Sequence, residues 1–249
     1  MQYQTLQNPP VAVALVQLKF RIPNFKVESV LEYDNLLKHH LPIRHNNIQV
    51  GIDLGKSAFP LGESKISGTS NAEVGSYIYF SKNQKTKLEI SHDTLTYIDE
   101  NPYDGWDNFK DRVKQMFNIL SPLFVSAEIS RTSIRFINRF TLDNFDDPGS
   151  YFNALITSSN GSSFPLRQYG FRLMMDVPDS DMCAVVNHNV ENVQDKYLYT
   201  FDIDVLDYQK LIYAFDSISE ILETLRGVKN KIFFDTLTEK TIELCNSHR

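Results

Sequence analysis

RTSIRFINRF, Arg131 to Phe140, places three arginines four residues apart in a segment otherwise rich in Ile, Phe and Thr. Successive side chains of a strand point to opposite faces. Arg131, Ser133, Arg135, Ile137, Arg139 and Thr141 therefore share one face, and Thr132, Ile134, Phe136, Asn138, Phe140 and Leu142 share the other. The second set is apolar and packs under helices, while the first presents guanidinium groups roughly 13 Å apart at a rise of about 3.3 Å per residue. Asn138 is the polar exception on the apolar face, and a buried amide there must find backbone partners.

The same alternation in YLYTFDIDVLD, Tyr197 to Asp207, sets Tyr197, Tyr199, Phe201, Ile203 and Val205 on one face. Leu198, Thr200, Asp202, Asp204 and Leu206 take the other, with the two carboxylates about 7 Å apart. If the two strands meet, the arginine stripe and the Asp pair neutralise one another through planar bidentate pairing. The competing reading makes Arg131, Arg135, Arg139, Asp202 and Asp204 a concave polar face that receives a phosphate or carboxylate. Two carboxylates without a third ligand form an incomplete oxygen shell, so no metal is expected there.

Working outward, VAVALVQLKF after Pro9 and Pro10 reads as a buried strand, and VESVLEYDNLLKHHL as a helix closed by Pro42. IQVGIDL, SYIYFSKN and TKLEISHDTLTYI read as strands, with a Gly- and Ser-punctuated stretch after the first. Trp106, Phe109, Val113, Phe117 and Leu120 then recur every three or four residues, marking the clearest amphipathic helix. A low-complexity loop, SSNGSSFP at 158–165, precedes the strands YGFRLMMDV and DMCAVVNHNV. Ser217 is read as the cap of a terminal helix reaching Asn246, with Gly227 as a kink.

Runs of strands punctuated by helices, without βαβ alternation, predict an α+β domain: a mostly antiparallel sheet with long helices packed on one face. The chain is read as one domain, 1–249, whose halves 1–145 and 146–249 repeat the order of elements without residue identity, the pattern of a pseudo-duplication.

A formal charge of −6 argues against a surface devoted to nucleic acid, so any such role would rest on a local site. The N-terminus lacks the features of a secretory signal, and the apolar run Val11–Val16 is far too short to cross a bilayer, which predicts a cytoplasmic protein. Cys183 and Cys245 have no metal-ligand spacing and read as buried thiols. His39 and His40 point about 100° apart on a helix, so with His45 they read as cations near a helix C-terminus rather than ligands. His92 and His188 read as structural. No Gly-rich phosphate loop, HExxH or GxSxG motif is present, and no cofactor is expected. The 17 Phe and 12 Tyr fall at core spacings, which favours packing over nucleotide stacking.

NPPVAVALVQLKF, PYDGWDNFKDRV, RFINRF, DIDV and IFFDTLTEK together resemble, over nearly the whole chain, a sporadically distributed family of uncharacterised bacterial proteins. Phe136 stands where that family's commoner wording has a tyrosine, which removes one hydroxyl. The resemblance implies a single domain from an accessory gene in a bacterial defence or conflict setting, and it carries no catalytic residue. With no catalytic motif found, the expectation is a non-catalytic binding or adaptor protein. It would act with a protein partner or as a homo-oligomer, through apolar surface left on the terminal helix. The alternative is a phosphate- or nucleotide-handling enzyme or sensor using the Arg/Asp face.

Overall fold

In the computed structural model, the chain runs β1 (Val11–Arg21), a 3-10 segment Val27–Tyr33, α1 (Asp34–His40), β2 (Ile43–Asp53), β3 (Thr69–Phe80), β4 (Thr86–Ser91) and β5 (Thr94–Asp99). It continues through α2 (Trp106–Leu120), β6 (Glu128–Leu142), β7 (Gln168–Asp176), β8 (Met182–Val193), β9 (Lys196–Asp207), β10 (Leu211–Ile212), α3 (Phe215–Thr236) and α4 (Glu239–Asn246). The described residues are 3–53, 69–143, 145, 148–153, 168–194 and 196–247. The Gly- and Ser-punctuated stretch after β2 and the loop 158–165 lie outside them.

All ten strands join one sheet in the order β2-β3-β4-β5-β1-β6-β9-β8-β7, with β10 paired to β6. Every pairing is antiparallel. From the central β1–β6 seam, β5, β4, β3 and β2 follow on one side, and β9, β8 and β7 on the other.

This corrects the predicted α+β architecture with long helices on one face. The sheet dominates: ten strands stand against four α-helices among the described residues, and of the helices only α3, with 22 residues, is longer than the 15-residue β6. The expected terminal helix is two helices. Its first starts after Ala214 rather than at Ser217, and it runs through Gly227 without a break. It stops at Leu237 for a tertiary reason. The segment 148–153 lies against it, Asn153 N–H donating to the Thr236 carbonyl at 2.7 Å and Thr238 N–H to Tyr151 at 3.1 Å. The Thr238 hydroxyl donates to the Ser150 carbonyl at 2.7 Å, so the backbone finds better partners outside the helix than in it.

The predicted alternation on β6 holds in the burial pattern from Ile134 to Leu142, while Ser133, on the arginine face, is buried beside Thr132. Ile134, Phe136, Asn138, Phe140 and Leu142 are buried, and Arg139 and Thr141 are exposed. Buried residues of α1, α2, α3 and α4 join that apolar face in one core, to which Phe109, Phe117, Leu222 and Leu225 contribute. The opposite face carries a small separate apolar cluster, Cys183, Val185 and Leu206. Asn138 finds its partner on β9, donating to the Phe201 carbonyl at 3.0 Å. No helix among the described residues is long and apolar enough to cross a membrane.

Candidate functional site

The antiparallel register sets Arg135 opposite Asp204 and Ile137 opposite Asp202. Arg135 nonetheless reaches diagonally, donating from Nε and Nη2 to both Asp202 oxygens at 2.7 and 2.6 Å. Asn187 on β8 adds a third donor to Asp202 at 3.0 Å. The Asp202 side chain is 7 % exposed and that of Arg135 40 %, so the pair is a carboxylate buried in the sheet surface beneath a half-open guanidinium.

The remaining arginines stand apart from that pair. Arg131 donates to Gln17 on β1, which in turn donates to Thr96 at 3.0 Å. Arg139 is exposed, and its backbone N–H donates to the Pro10 carbonyl at 2.8 Å. The structure thus brings Arg135, Asp202 and Asp204 together, with Arg131 hydrogen-bonded elsewhere but close enough to act on Asp204, and leaves Arg139 out. Arg135 and Asp202 satisfy one another's charge, as a structural ion pair does.

Asp204 is the strained member. Burial pushes its carboxyl up to about 6, Asp202 pushes the same way, and Arg135 and Arg131 only partly offset them. Among the described residues its Oδ1 has no hydrogen-bond partner. Below about pH 4 both folded and unfolded states hold the proton; between about 4 and 6 only the folded state does, so stability falls as pH rises through that window. Asp204→Asn removes the cost, and thermal melts should place the variant a few degrees above wild type at pH 7 and level with it at pH 4.

His188, as expected, is structural. It is buried between the rings of Phe171 and Phe201, with centroids at 4.4 and 4.7 Å, and pairs with the Tyr199 hydroxyl at 2.5 Å. Desolvation pulls it down to about 4.

The feature that sequence reading missed lies on the helical side of the sheet. A cleft of about 520 Å³ opens between residues 3–11, the loop 103–107 and the second half of α3, with Asn138 among its lining residues. The N-terminal segment is strapped in place: Asn8 N–H donates to the Cys245 carbonyl at 2.8 Å, and Tyr3 stacks on Phe234 at 5.0 Å. Gly105 shapes the other wall, because its φ of 109° turns the loop into α2 in a region that side chains avoid.

Lys229 enters this cleft from α3. Its Nζ lies 4.4 Å from the ring centre of Phe136 and 5.8 Å from that of Phe233, and among the described residues it has no carboxylate partner. Desolvation, with Arg226 adding repulsion, pulls the amine down to about 7. Arg226, one turn earlier, sits 5.3 Å over Trp106 and is 3.3 Å from Glu223. Glu223 is itself engaged by Lys110 and by Trp106 Nε1 at 2.8 Å. Asp104, on the loop wall, is held bidentately by Arg112 at 2.8 and 2.9 Å. The cleft therefore has aromatic walls, a paired Asp104, a second acid in Asp107 on the loop, and in Lys229 a cation with no carboxylate paired to it among the described residues.

A signal for Lys229 was present. Ile218, Leu222, Leu225 and Phe233 form the buried stripe of α3, and Lys229 falls on the same stripe, four residues from each of the last two. Searches against protein-family models and curated proteins find no match to this chain.

Proposed function

We propose that this chain is a non-catalytic binding protein for a small organic anion with a flat apolar body, held in the cleft between residues 3–11 and α3. The observation that carries this reading is Lys229, a cation drawn out of water against two aromatic rings with no carboxylate paired to it among the described residues. Buried charges are ordinarily paired, and an ammonium left bare costs stability unless a ligand supplies the counter-charge. Small-molecule sites are mostly apolar with a few converging polar groups, which describes Tyr103, Trp106, Phe233 and Phe234 around Arg226 and Lys229.

The terminal helix supports an adaptor role less well, since its apolar stripe is spent inside the monomer. The anion-handling expectation moves from the Arg/Asp face, where Arg135 already has its carboxylate, to the cleft.

Trp106 is the only tryptophan of the chain and lines the cleft, so its emission reports occupancy. Titration with benzoate, para-toluate, inorganic phosphate and a nucleoside monophosphate should give a saturable change for the aromatic acids. Lys229→Met should weaken that binding at least about tenfold, the scale of one charge-assisted contact. Affinity should also fall as pH rises above 7, because the ammonium fraction drops up to about tenfold per pH unit. No saturable response to any of these anions, or unchanged affinity in the variant, would reject the proposal.

A further inference from the structure

We infer that the anion carries a carbonyl group and that Lys229 Nζ captures it reversibly as an imine; this rests on the cleft being the ligand site. The argument begins with position. Arg226 and Lys229 are three residues apart on α3, hence on one face with Cβ atoms about 5–6 Å apart. The guanidinium is a permanent cation and can hold the acid group. A carbonyl carbon a few bonds away then lies within reach of the amine.

The second element is what surrounds that amine. The ring faces of Phe136 and Phe233 lie against it, the Arg226 cation repels it, and Asp104 and Glu223 are already paired with other cations. Asp107 also lines the cleft from the loop. Desolvation beside a second cation is how lysines are made nucleophilic. With the amine near 7, about half of it is unprotonated at neutral pH, against on the order of one part in a thousand for a surface lysine.

Tyr103 completes the set. Its ring packs edge-on against Phe136 at 5.7 Å, the ring that also carries Lys229, and burial pushes its phenol up to about 12, so it stays protonated. In the step itself, the amine lone pair forms a C–N bond to the carbonyl carbon as the C=O π pair moves to oxygen, and one nitrogen proton passes through solvent to that oxygen, giving a neutral carbinolamine. The nitrogen lone pair then expels the hydroxyl, which takes a proton from solvent and leaves as water, and the iminium returns its last nitrogen proton to solvent, leaving a neutral imine and one water. Nothing is oxidised or reduced, and hydrolysis reverses the capture.

The test uses para-formylbenzoate, a flat acid with an aldehyde, and cyanoborohydride to fix any imine at pH 7. Intact mass and peptide mapping should show one adduct, at Lys229, forming at least about tenfold faster than at any other lysine. Lys229→Met should lose it, and benzaldehyde, which lacks the acid, should label far more slowly. Labelling spread over other lysines, while para-toluate still changes Trp106 emission, would overturn the imine and leave the binding proposal standing. Absence of both the Lys229 adduct and the Trp106 response would overturn both.

Discussion

Lys229→Met should melt higher than wild type at pH 7, by about 5–10 °C, an unusual sign for a substitution at a half-buried position. Below about pH 7 both the folded and unfolded chains carry the lysine proton, and the folded state bears the full cost of a desolvated ammonium. Between about 7 and 10.5 the folded state sheds the proton while the unfolded chain keeps it. The unfolded state then binds more protons, so wild-type stability rises with pH across this window, by up to about 5 kcal/mol. Methionine has the length of the stem and no charge, so the variant lacks that slope. Melts at pH 6, 8 and 10 should show the gap largest at 6 and closed by 10. A variant that melts lower than wild type at pH 7, or a gap that ignores pH, would contradict the account of this residue.

The second large effect has the opposite sign. Arg135→Ala leaves Asp202 buried with Asn187 as its remaining side-chain donor. Breaking a buried pair typically costs about 3–5 kcal/mol, and the half-open position of Arg135 puts this one nearer 2–3. The melting temperature should drop by about 5–10 °C at pH 7. Asp204 also loses its main neighbouring cation, which adds to the loss at neutral pH. Arg135→Met combined with Asp202→Leu should recover most of the stability, because no uncompensated charge remains. Anion binding in the cleft should be unchanged in Arg135→Ala, since the cluster lies on the other face of the sheet. Loss of binding without loss of stability would instead restore the arginine strand as the ligand site.

The sequence reached much of the sheet and only part of the candidate chemistry. Period-two alternation in RTSIRFINRF and YLYTFDIDVLD determined which residues of β6 and β9 share a face, because strand geometry fixes that from the chain alone. It also brought Arg135 and Asp202 under one hypothesis. It could not tell that Arg135 would reach past its register partner Asp204 to Asp202, which depends on side-chain reach across a ladder.

The terminal helix shows the same limit. Its apolar periodicity from Ile218 onward was legible, and so was Lys229 on the buried stripe. Its break at Leu237 was not, because carbonyls of residues about 90 positions away make it. The cleft is of this second kind. It is assembled from residues 3–11, 103–107 and 226–234, and only long-range packing puts those three stretches together. Local periodicity determined faces and helices in this protein. Tertiary structure alone decided which charges found partners, and so left Lys229 as a half-buried cation among aromatic rings.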